Sequence, residues 1–272
     1  MSYWRTAHAS TIGLAHINQQ TECQDRFRCE TIKTRHGDVL VAVVADGAGS
    51  TSDGQIGAEI ACDAFVGVVD DFLKSGDATV ESLNHEFGRY WVTFVQKRIA
   101  ERATEAGKEI RDFASTVVGA VAGEGSAVFF QIGDGGSVYS VSGEPASYAF
   151  AIDPEESEYV NVTHFVTDET ALSAIRFKRV DERIEDLILF SDGIFSVAVD
   201  FLSNKPHEPF LRPMIAPLRN LAANGNGLNE KLDAFLGSPK INEKTDDDKT
   251  IILASRAAQT EASGDRSRSA ES

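Results

Sequence analysis

The apolar residues of this chain follow two patterns, one typical of buried β-strands and one typical of amphipathic helices. Val39–Ala45 is a continuous apolar run, as expected for a strand covered on both faces. Ile56–Leu73 repeats at helical spacing, and a second amphipathic helix follows, with Tyr90, Trp91 and Phe94 expected in the core. Further strands are predicted over Asp25–Thr31, Val117–Ala122, Ala127–Ile132, Ser137–Val141, Tyr159–Val166, Leu187–Phe190 and Thr250–Ala254.

The order of these elements predicts an α+β fold, with helices covering the faces of antiparallel sheets. Glycine-containing turns at 123–125 and 133–136 separate three successive strands, as in hairpins. A weaker helical pair is predicted over Phe210–Ala223 and Leu228–Leu236. Because strands and helices do not alternate, a doubly wound sheet is not expected.

A single domain is expected over residues 1–255, since neither an internal repeat nor a Pro- or Gly-rich linker interrupts this stretch. The chain changes character only at its end. Residues 256–272 are polar, rich in serine and without apolar periodicity, which predicts a disordered tail.

The charge of the chain limits what it can bind. Its 272 residues carry a formal net charge of -16, so a nucleic-acid partner is not expected, and any phosphate-binding site must reverse the local potential with cations. The odd number of cysteines (Cys23, Cys29 and Cys62) favours a reducing compartment. With no apolar run of ~18 residues and no signal peptide, we expect a cytoplasmic protein without a membrane segment.

Four aspartates share one context, because each lies at or near the end of an apolar strand. Asp46, Asp134 and Asp192 follow such strands and precede glycine, and Asp247 comes just before the last strand. Any one Asp-Gly pair is more simply a hairpin turn, so only their joint order carries weight. Carboxylates that converge repel one another unless a cation holds them, and ligands that are all oxygens favour Mg²⁺ or Mn²⁺ over zinc.

Six ordered motifs resemble those of the metal-dependent protein phosphatase family, the PPM or 2C type. The pattern of residues 10–25 is similar to a bacterial branch of that family, and the similarity covers about residues 6–254. The motifs are QDRF (24–27), ADGAGS (45–50), FASTVVGAV (113–121), IGDGGSVY (132–139), LFSDGIF (189–195) and DDKTIIL (247–253). This resemblance implies a β-sandwich of two antiparallel sheets flanked by pairs of helices.

The resemblance also implies a role for each acidic residue around two Mn²⁺ or Mg²⁺ ions. Asp46 would bridge the ions, and the carbonyl of Gly47 would bind one of them. Asp192 and Asp247 would bind the other ion, with Asp248 as the candidate if the register shifts by one.

Two further positions complete the implied site. Asp25 would orient a water molecule bound to the ions, and Asp134 would mark a third, weaker metal position. Two such cations generate hydroxide near neutral pH, which would attack phosphorus in line with the leaving seryl or threonyl oxygen.

The sequence departs from the family pattern at two positions. Many members carry an arginine that grips the phosphate three residues after a glycine, whereas here Gly13 is followed at that distance by His16. His16 is therefore predicted to bind phosphate, with a solvent-exposed loop histidine as the alternative. Ser196 stands where members often have an aspartate, which puts the third metal in doubt.

The predicted function is the dephosphorylation of phosphoserine and phosphothreonine in proteins, reversing a bacterial serine/threonine kinase. Two alternatives stay open at this point. One is a catalytically weak regulator that binds phosphoproteins through the same fold, and the other is the hydrolysis of a small phosphorylated metabolite. The acidic segment 145–183, which corresponds to the variable flap of the family, is expected to contribute to substrate selection.

Overall fold

The computed structural model describes residues 2–142, 147–154, 163–219 and 227–258. In chain order, its first half contains β1 Ser2–Thr11, α1 Leu14–Gln19, β2 Arg26–Thr34, β3 Gly37–Ala45, α2 Gly54–Lys74, α3 His85–Ala106, β4 Val117–Ala122 and β5 Ala127–Ile132. Its second half contains β6 Gly136–Val141, β7 Tyr148–Phe150, α4 Ala171–Ala174, β8 Arg176–Val180, β9 Ile184–Phe190, α5 Phe195–Ala198, β10 Val199–Asp200, β11 Lys205–Pro206, α6 Glu208–Arg219, α7 Leu228–Leu236, α8 Pro239–Asn242 and β12 Lys249–Ala258.

Two five-stranded antiparallel sheets form the centre of the protein. One sheet has the strand order β1-β12-β9-β6-β7 and the other β2-β3-β4-β5-β8, while β10 and β11 form a small separate hairpin. The last strand of the chain, β12, therefore lies inside its sheet, between the first strand and β9. This topology confirms the predicted α+β class and the two antiparallel sheets.

Three apolar clusters divide the molecule into four layers. Leu40, Phe129 and Leu189 belong to the cluster between the sheets, which is buried throughout. A second cluster packs α2 and α3 on the β2–β8 sheet and includes Phe65 and Trp91. A third cluster packs α6 and α7 on the other sheet. The order helix, sheet, sheet, helix is the flanked sandwich that the resemblance implies.

The strongest patterns and the weaker helical pair are confirmed, α7 with the predicted bounds, whereas some of the predicted strands and core residues are not. The runs 117–122 and 127–132 are strands as predicted, and the two long amphipathic patterns are α2 and α3. Of the strand predicted over Tyr159–Val166, residues 163–166 are not in a strand and the rest lies outside the described residues. Tyr90 was wrongly expected in the core, because its side chain is 62% exposed on α3.

The predicted boundary of the tail at residue 256 is wrong. Strand β12 continues through Ala258 and pairs with β1 along its whole length. Arg256 is only 7% exposed, its guanidinium lies 4.3 Å from the ring centroid of Trp4, and its Nε donates to the carbonyl of Ile184 at 2.8 Å. The apolar periodicity is lost after residue 254. The strand nevertheless continues, because β12 pairs with both β9 and β1 as far as Ser255 and with β1 alone from Arg256 to Ala258. Residues 259–272 of the predicted tail lie outside the described part of the chain.

Within residues 2–142, 147–154, 163–219 and 227–258, no helix combines the length and the hydropathy that crossing a bilayer requires. All three cysteines are free thiols.

Candidate metal centre

Four of the predicted aspartates come together at one end of the sandwich because of how the strands are paired. Asp46 follows the end of β3, and Asp25 precedes the start of β2, its antiparallel neighbour. Asp192 follows β9, and Asp247 precedes β12, which pairs antiparallel with β9. Each sheet therefore delivers two carboxylates to the same edge, and the two edges face each other across the core.

The four carboxylates act on one another electrostatically, which shows that they share one site. Burial raises the pKa of Asp46 well above its usual range, and the charges of Asp25, Asp192 and Asp247 raise it further. Burial raises the pKa of Asp192 to about 8 and that of Asp25 to about 6, and it also raises the pKa of Asp247. Without a cation, these groups therefore retain protons that ordinary aspartates lose near pH 4.

Asp25 is the most deeply buried of the four aspartates. It is 2% exposed, and its Oδ2 accepts a hydrogen bond of 2.7 Å from the hydroxyl of Ser191. That hydroxyl in turn accepts a hydrogen bond from the N–H of Thr250 at 3.0 Å. Its position is therefore fixed by β9, which Ser191 follows, and by β12, which contains Thr250. The carboxyls of Asp25 and Asp46 are near neighbours, since each shifts the pKa of the other. The Oδ1 atom of Asp25 is buried without a donor, which leaves it open for a bound water or ion.

The donor set fits a hard cation, but side chains alone do not enclose one. Among the described residues, no group of three or more His, Cys, Asp or Glu side chains forms a ready-made metal site. Backbone carbonyls and water must therefore supply the remaining ligands, which is the usual arrangement for Mg²⁺. The orphaned oxygen of Asp25 and the raised pKa values of its neighbours are both what a cation would relieve.

Gly47 stands where a carbonyl ligand is predicted. It is buried, it bridges to Ser115, and its N–H donates to the carbonyl of Gln24 at 3.3 Å. The side-chain amide of Gln24 would donate to the carbonyls of Gly47 and Ala48, each at 3.1 Å, in the orientation that turns its nitrogen toward them. Because a carbonyl oxygen has two lone pairs, this bond leaves one free for a cation.

Asp134 lies at the edge of the site rather than inside it. Its side chain is exposed, and its Oδ2 accepts a bond of 2.8 Å from the hydroxyl of Thr163. Its charge contributes to the raised pKa of Asp192, so the two carboxylates are near neighbours. Both line a cavity of about 720 Å³ that opens beside the four inner aspartates.

His16 is buried against the same site, which contradicts the alternative of a solvent-exposed loop histidine. It is 7% exposed in α1, and its Nδ1 lies 2.9 Å from Oδ2 of Asp248. Its Nε2 faces Gly49, in the loop that follows Asp46. The structure thus brings His16 to the aspartates, while its role toward phosphate stays a prediction.

Asp248 holds together the segments that carry the site. Its Oδ1 accepts the N–H of Gly13 at 2.7 Å, and its Oδ2 accepts the N–H of Gln24 at 2.6 Å. Gly13 packs so closely on the backbone of 246–247 that a Cβ atom would collide with it. Because its oxygens are engaged in this way, Asp248 is a scaffold residue, and Asp247 remains the candidate ligand.

Two residues with a part in the site were not predicted from the sequence. Ser191 orients Asp25, and Lys249 is fully buried with its ammonium donating to the carbonyl of Asp247 at 2.9 Å. Their only signal is adjacency, because each stands directly beside an aspartate of a motif.

Comparison with known proteins agrees with this geometry. The sequence pattern of the family described as Protein phosphatase 2C matches residues 12–237. The serine/threonine-protein phosphatase 3 of Escherichia coli (strain K12) is 35% identical to this chain over 255 residues, covering 92% of this chain and 98% of that protein.

Solved structures share the fold at lower identity. The serine/threonine phosphatase Stp1 from Staphylococcus aureus superposes with a TM-score of 0.57 at 16% identity and covers 93% of this chain and 95% of its own. The catalytic domain of the serine/threonine protein phosphatase PstP, solved in complex with 2 manganese ions, gives a TM-score of 0.60 at 12% identity and covers 95% and 100%. From the family match and the relative of nearly equal length, the chain belongs to the protein phosphatase 2C family of serine/threonine phosphatases.

Proposed function

We propose that this chain removes phosphate from phosphoserine and phosphothreonine in proteins with the help of two Mn²⁺ or Mg²⁺ ions. The observation that carries the proposal is the convergence of Asp25, Asp46, Asp192 and Asp247 at one edge of the sandwich, with pKa values raised by burial and by one another. Four carboxylates this close together, with few hydrogen-bond donors among them, favour a cation site over a purely structural cluster.

Each residue of the cluster would have a distinct part. Asp46, which is electrostatically coupled to the other three carboxylates, would contact both ions. The carbonyl of Gly47 would complete one coordination sphere, and Asp192 and Asp247 would hold the second ion. Divalent cations at this place supply Lewis-acid chemistry, offsetting the charge of the phosphate and making a nearby water more acidic.

Asp25 would orient the attacking water. Its Oδ2 is fixed by the hydroxyl of Ser191, so the Oδ1 atom, which has no donor of its own, keeps a constant direction. A water that donates to this Oδ1 would be held with a lone pair toward phosphorus, and the carboxylate would draw its proton as the P–O bond forms. The seryl or threonyl oxygen then leaves from the opposite side.

His16 would donate a hydrogen bond to the phosphate. Its Nδ1 lies 2.9 Å from the carboxylate of Asp248, which leaves Nε2 as the nitrogen that faces the loop after Asp46. We expect His16→Ala to raise the KM for a phosphopeptide at least several-fold with a smaller change in kcat, since it removes a contact to the substrate and not to the ions. Ile17→Ala, on an exposed position of the same helix, is the matched control.

Hydrolysis of a phosphothreonine peptide, with manganese and with chelator, tests the proposed activity. We expect turnover with manganese, loss of turnover with chelator, and recovery when the metal is added back. Binding of the phosphopeptide without turnover under all metal conditions would instead favour the weak regulator. A small phosphorylated metabolite as the substrate would show as turnover of small phosphomonoesters with no activity on the peptide.

The setting of the reaction is part of the same proposal. A substrate phosphorylated by a bacterial serine/threonine kinase, in the cytoplasm, is consistent with three free thiols and with a bacterial relative of nearly equal length. A third ion at Asp134 would be weaker than the two inner ions, because this carboxylate is exposed and already bonded to Thr163.

A further inference from the structure

A second cavity, of about 1290 Å³, lies beside the candidate metal centre on the far side of the β10–β11 hairpin. The hairpin is a shared wall, since its residues 199 and 201–204 line both this cavity and the cavity that contains Asp134 and Asp192. Ser196, four residues after Asp192, also lines the larger cavity and donates to the carbonyl of Lys244 at 3.4 Å. The two cavities therefore form one continuous surface that begins at the metal centre.

Three lysines line the larger cavity. Lys205, Lys240 and Lys244 are all exposed, and in the described part of the chain none of them is within ion-pairing distance of a carboxylate. Three acidic residues line the same cavity: Glu208 is already paired with Arg212, Asp200 accepts from Ser203, and Asp153 is exposed. On a chain with a net charge of -16, the three lysines are cations that an anionic group of a partner can still pair with.

The wall between the cavities ends in two exposed apolar side chains. Phe201 is 66% exposed and Leu202 is fully exposed, at the tip of the hairpin. The ring of Phe201 lies 6.2 Å from that of Phe195, which lies 6.2 Å from that of Phe190 at the end of β9. The tip is thus held by an aromatic row that leads back to Asp192, rather than projecting freely.

We propose that this surface selects phosphoproteins with acidic residues near the phosphorylated side chain. The phosphoserine or phosphothreonine enters the cavity of Asp134 and Asp192, the adjoining residues cross the tip formed by Phe201 and Leu202, and a glutamate or aspartate of the substrate pairs with the lysines. This inference rests on the proposed function, because it places the substrate relative to the metal centre. The occupant is a peptide segment, since one chain has to span both cavities and supply an acidic side chain.

Hydrolysis by wild type and by Lys240→Glu/Lys244→Glu tests the inference with two phosphothreonine peptides, one flanked by glutamates and one by glutamines, and with an aryl phosphate. Wild type should prefer the acidic peptide. The double variant should lower kcat/KM for that peptide about tenfold, as expected when a few exposed attractions become repulsions. The preference should also shrink as ionic strength rises, because these charges are exposed to solvent.

The matched control is Lys33→Glu/Lys178→Glu, which makes the same change of net charge on exposed strand positions away from the cavity. It should leave the peptide preference as in wild type. Leu202→Ser should lower kcat/KM for both peptides alike, since the tip contacts the peptide backbone and side chains rather than the acidic group.

The aryl phosphate separates failure of this inference from failure of the proposed function. If the aryl phosphate and both peptides are hydrolysed at equal rates by wild type and by both double variants, the lysine cavity has no part in selection and the inference is overturned. If the variants lose activity on the aryl phosphate as well, the substitutions have damaged the metal centre. The neutral variant Lys240→Gln/Lys244→Gln is then compared with wild type on the same three substrates to test the peptide preference. If manganese supports no hydrolysis by wild type, the proposed function itself fails.

Discussion

Two groups of buried carboxylates in this protein have opposite surroundings. Asp186, in the middle of β9, is fully buried, and its two oxygens accept bonds from Ser140, Tyr148, Ser255 and Arg219. Asp25 and Asp46, at the end of the sandwich, lie beside other carboxylates, and Asp25 accepts a bond from Ser191 on only one of its oxygens. A buried carboxylate surrounded by donors stabilises the fold, whereas a cluster of carboxylates with few donors costs stability until a cation binds.

Asp46→Asn should break the acidic cluster and give the largest effect on activity. Turnover should fall by several orders of magnitude, because the ligand that would contact both ions loses its charge. The metal-free variant should at the same time melt at a higher temperature than metal-free wild type, because one buried repulsive charge is gone. Calorimetry with and without manganese measures both binding and stability. Unchanged metal content and turnover in Asp46→Asn would exclude the assigned site.

Asp186→Asn should show the reverse. We expect the free energy of unfolding to fall by about 2–4 kcal/mol, since Arg219 loses its buried partner and three hydroxyl groups lose a charged acceptor. The kcat of the folded fraction should stay near that of wild type, because Asp186 and its hydrogen-bond partners lie in the interior of the sheet rather than at its end. Denaturant unfolding alongside phosphopeptide turnover is the measurement. Loss of activity without loss of stability would show that this network acts on the reaction.

Truncation of the last strand tests where the domain ends. A chain that stops at Ser255 loses the bonds of Arg256 to the carbonyls of Gly123 and Ile184 and its stacking on Trp4. We expect a loss of about 1–3 kcal/mol in unfolding free energy, in line with removing a buried, fully bonded side chain. A chain that stops at Ala258 is the control and should match the full chain within about 0.5 kcal/mol. Equal stability of the two truncated chains would contradict this boundary.

The smallest expected effect is the pH dependence of the metal-free protein. The folded-state pKa values of about 6 for Asp25 and about 8 for Asp192 lie above the ordinary value, so their stabilising protons are fully bound below about pH 4 and are lost as pH rises through 6 and then 8. The pKa of Asp46 is raised as well, so keeping its proton in the folded state costs more stability as pH rises above the ordinary aspartate value. Because Asp46→Asn removes this carboxyl, the metal-free variant should melt above metal-free wild type by a gap that widens from pH 5 to pH 8. Asp186→Asn should show no such widening.

Elements with a long apolar pattern are predicted well from the sequence. The helices α2 and α3 and the strands β4 and β5 follow from periodicity alone. Strand β1 was not predicted, because its buried side chains are mostly small alanines among polar residues, and β8 was not predicted because it is largely charged. In both strands, pairing with a neighbour compensates for weak local preference.

The candidate site also has a part that can be predicted from the sequence and a part that cannot. The order of the aspartate motifs was enough to name Asp46, Asp192 and Asp247 as candidates, because the ends of apolar strands can be recognised in the sequence. The part played by Asp248 could not be predicted from its position beside Asp247, since it depends on the backbone N–H groups of Gly13 and Gln24, which are more than two hundred residues away along the chain. Contacts over that separation are set by topology and leave no local pattern.

The position of β12 also determines when this protein can begin to work during its synthesis. The final strand lies between β1 and β9, and the segment just before it carries Asp247 and Asp248. During synthesis β1 is made well before β12, so the edge of β1 that pairs with β12 stays unpaired until that strand emerges. Chains terminated before β12 would lack Asp247, one of the four carboxylates of the cluster, together with the scaffold residue Asp248, and would therefore not contain a complete site.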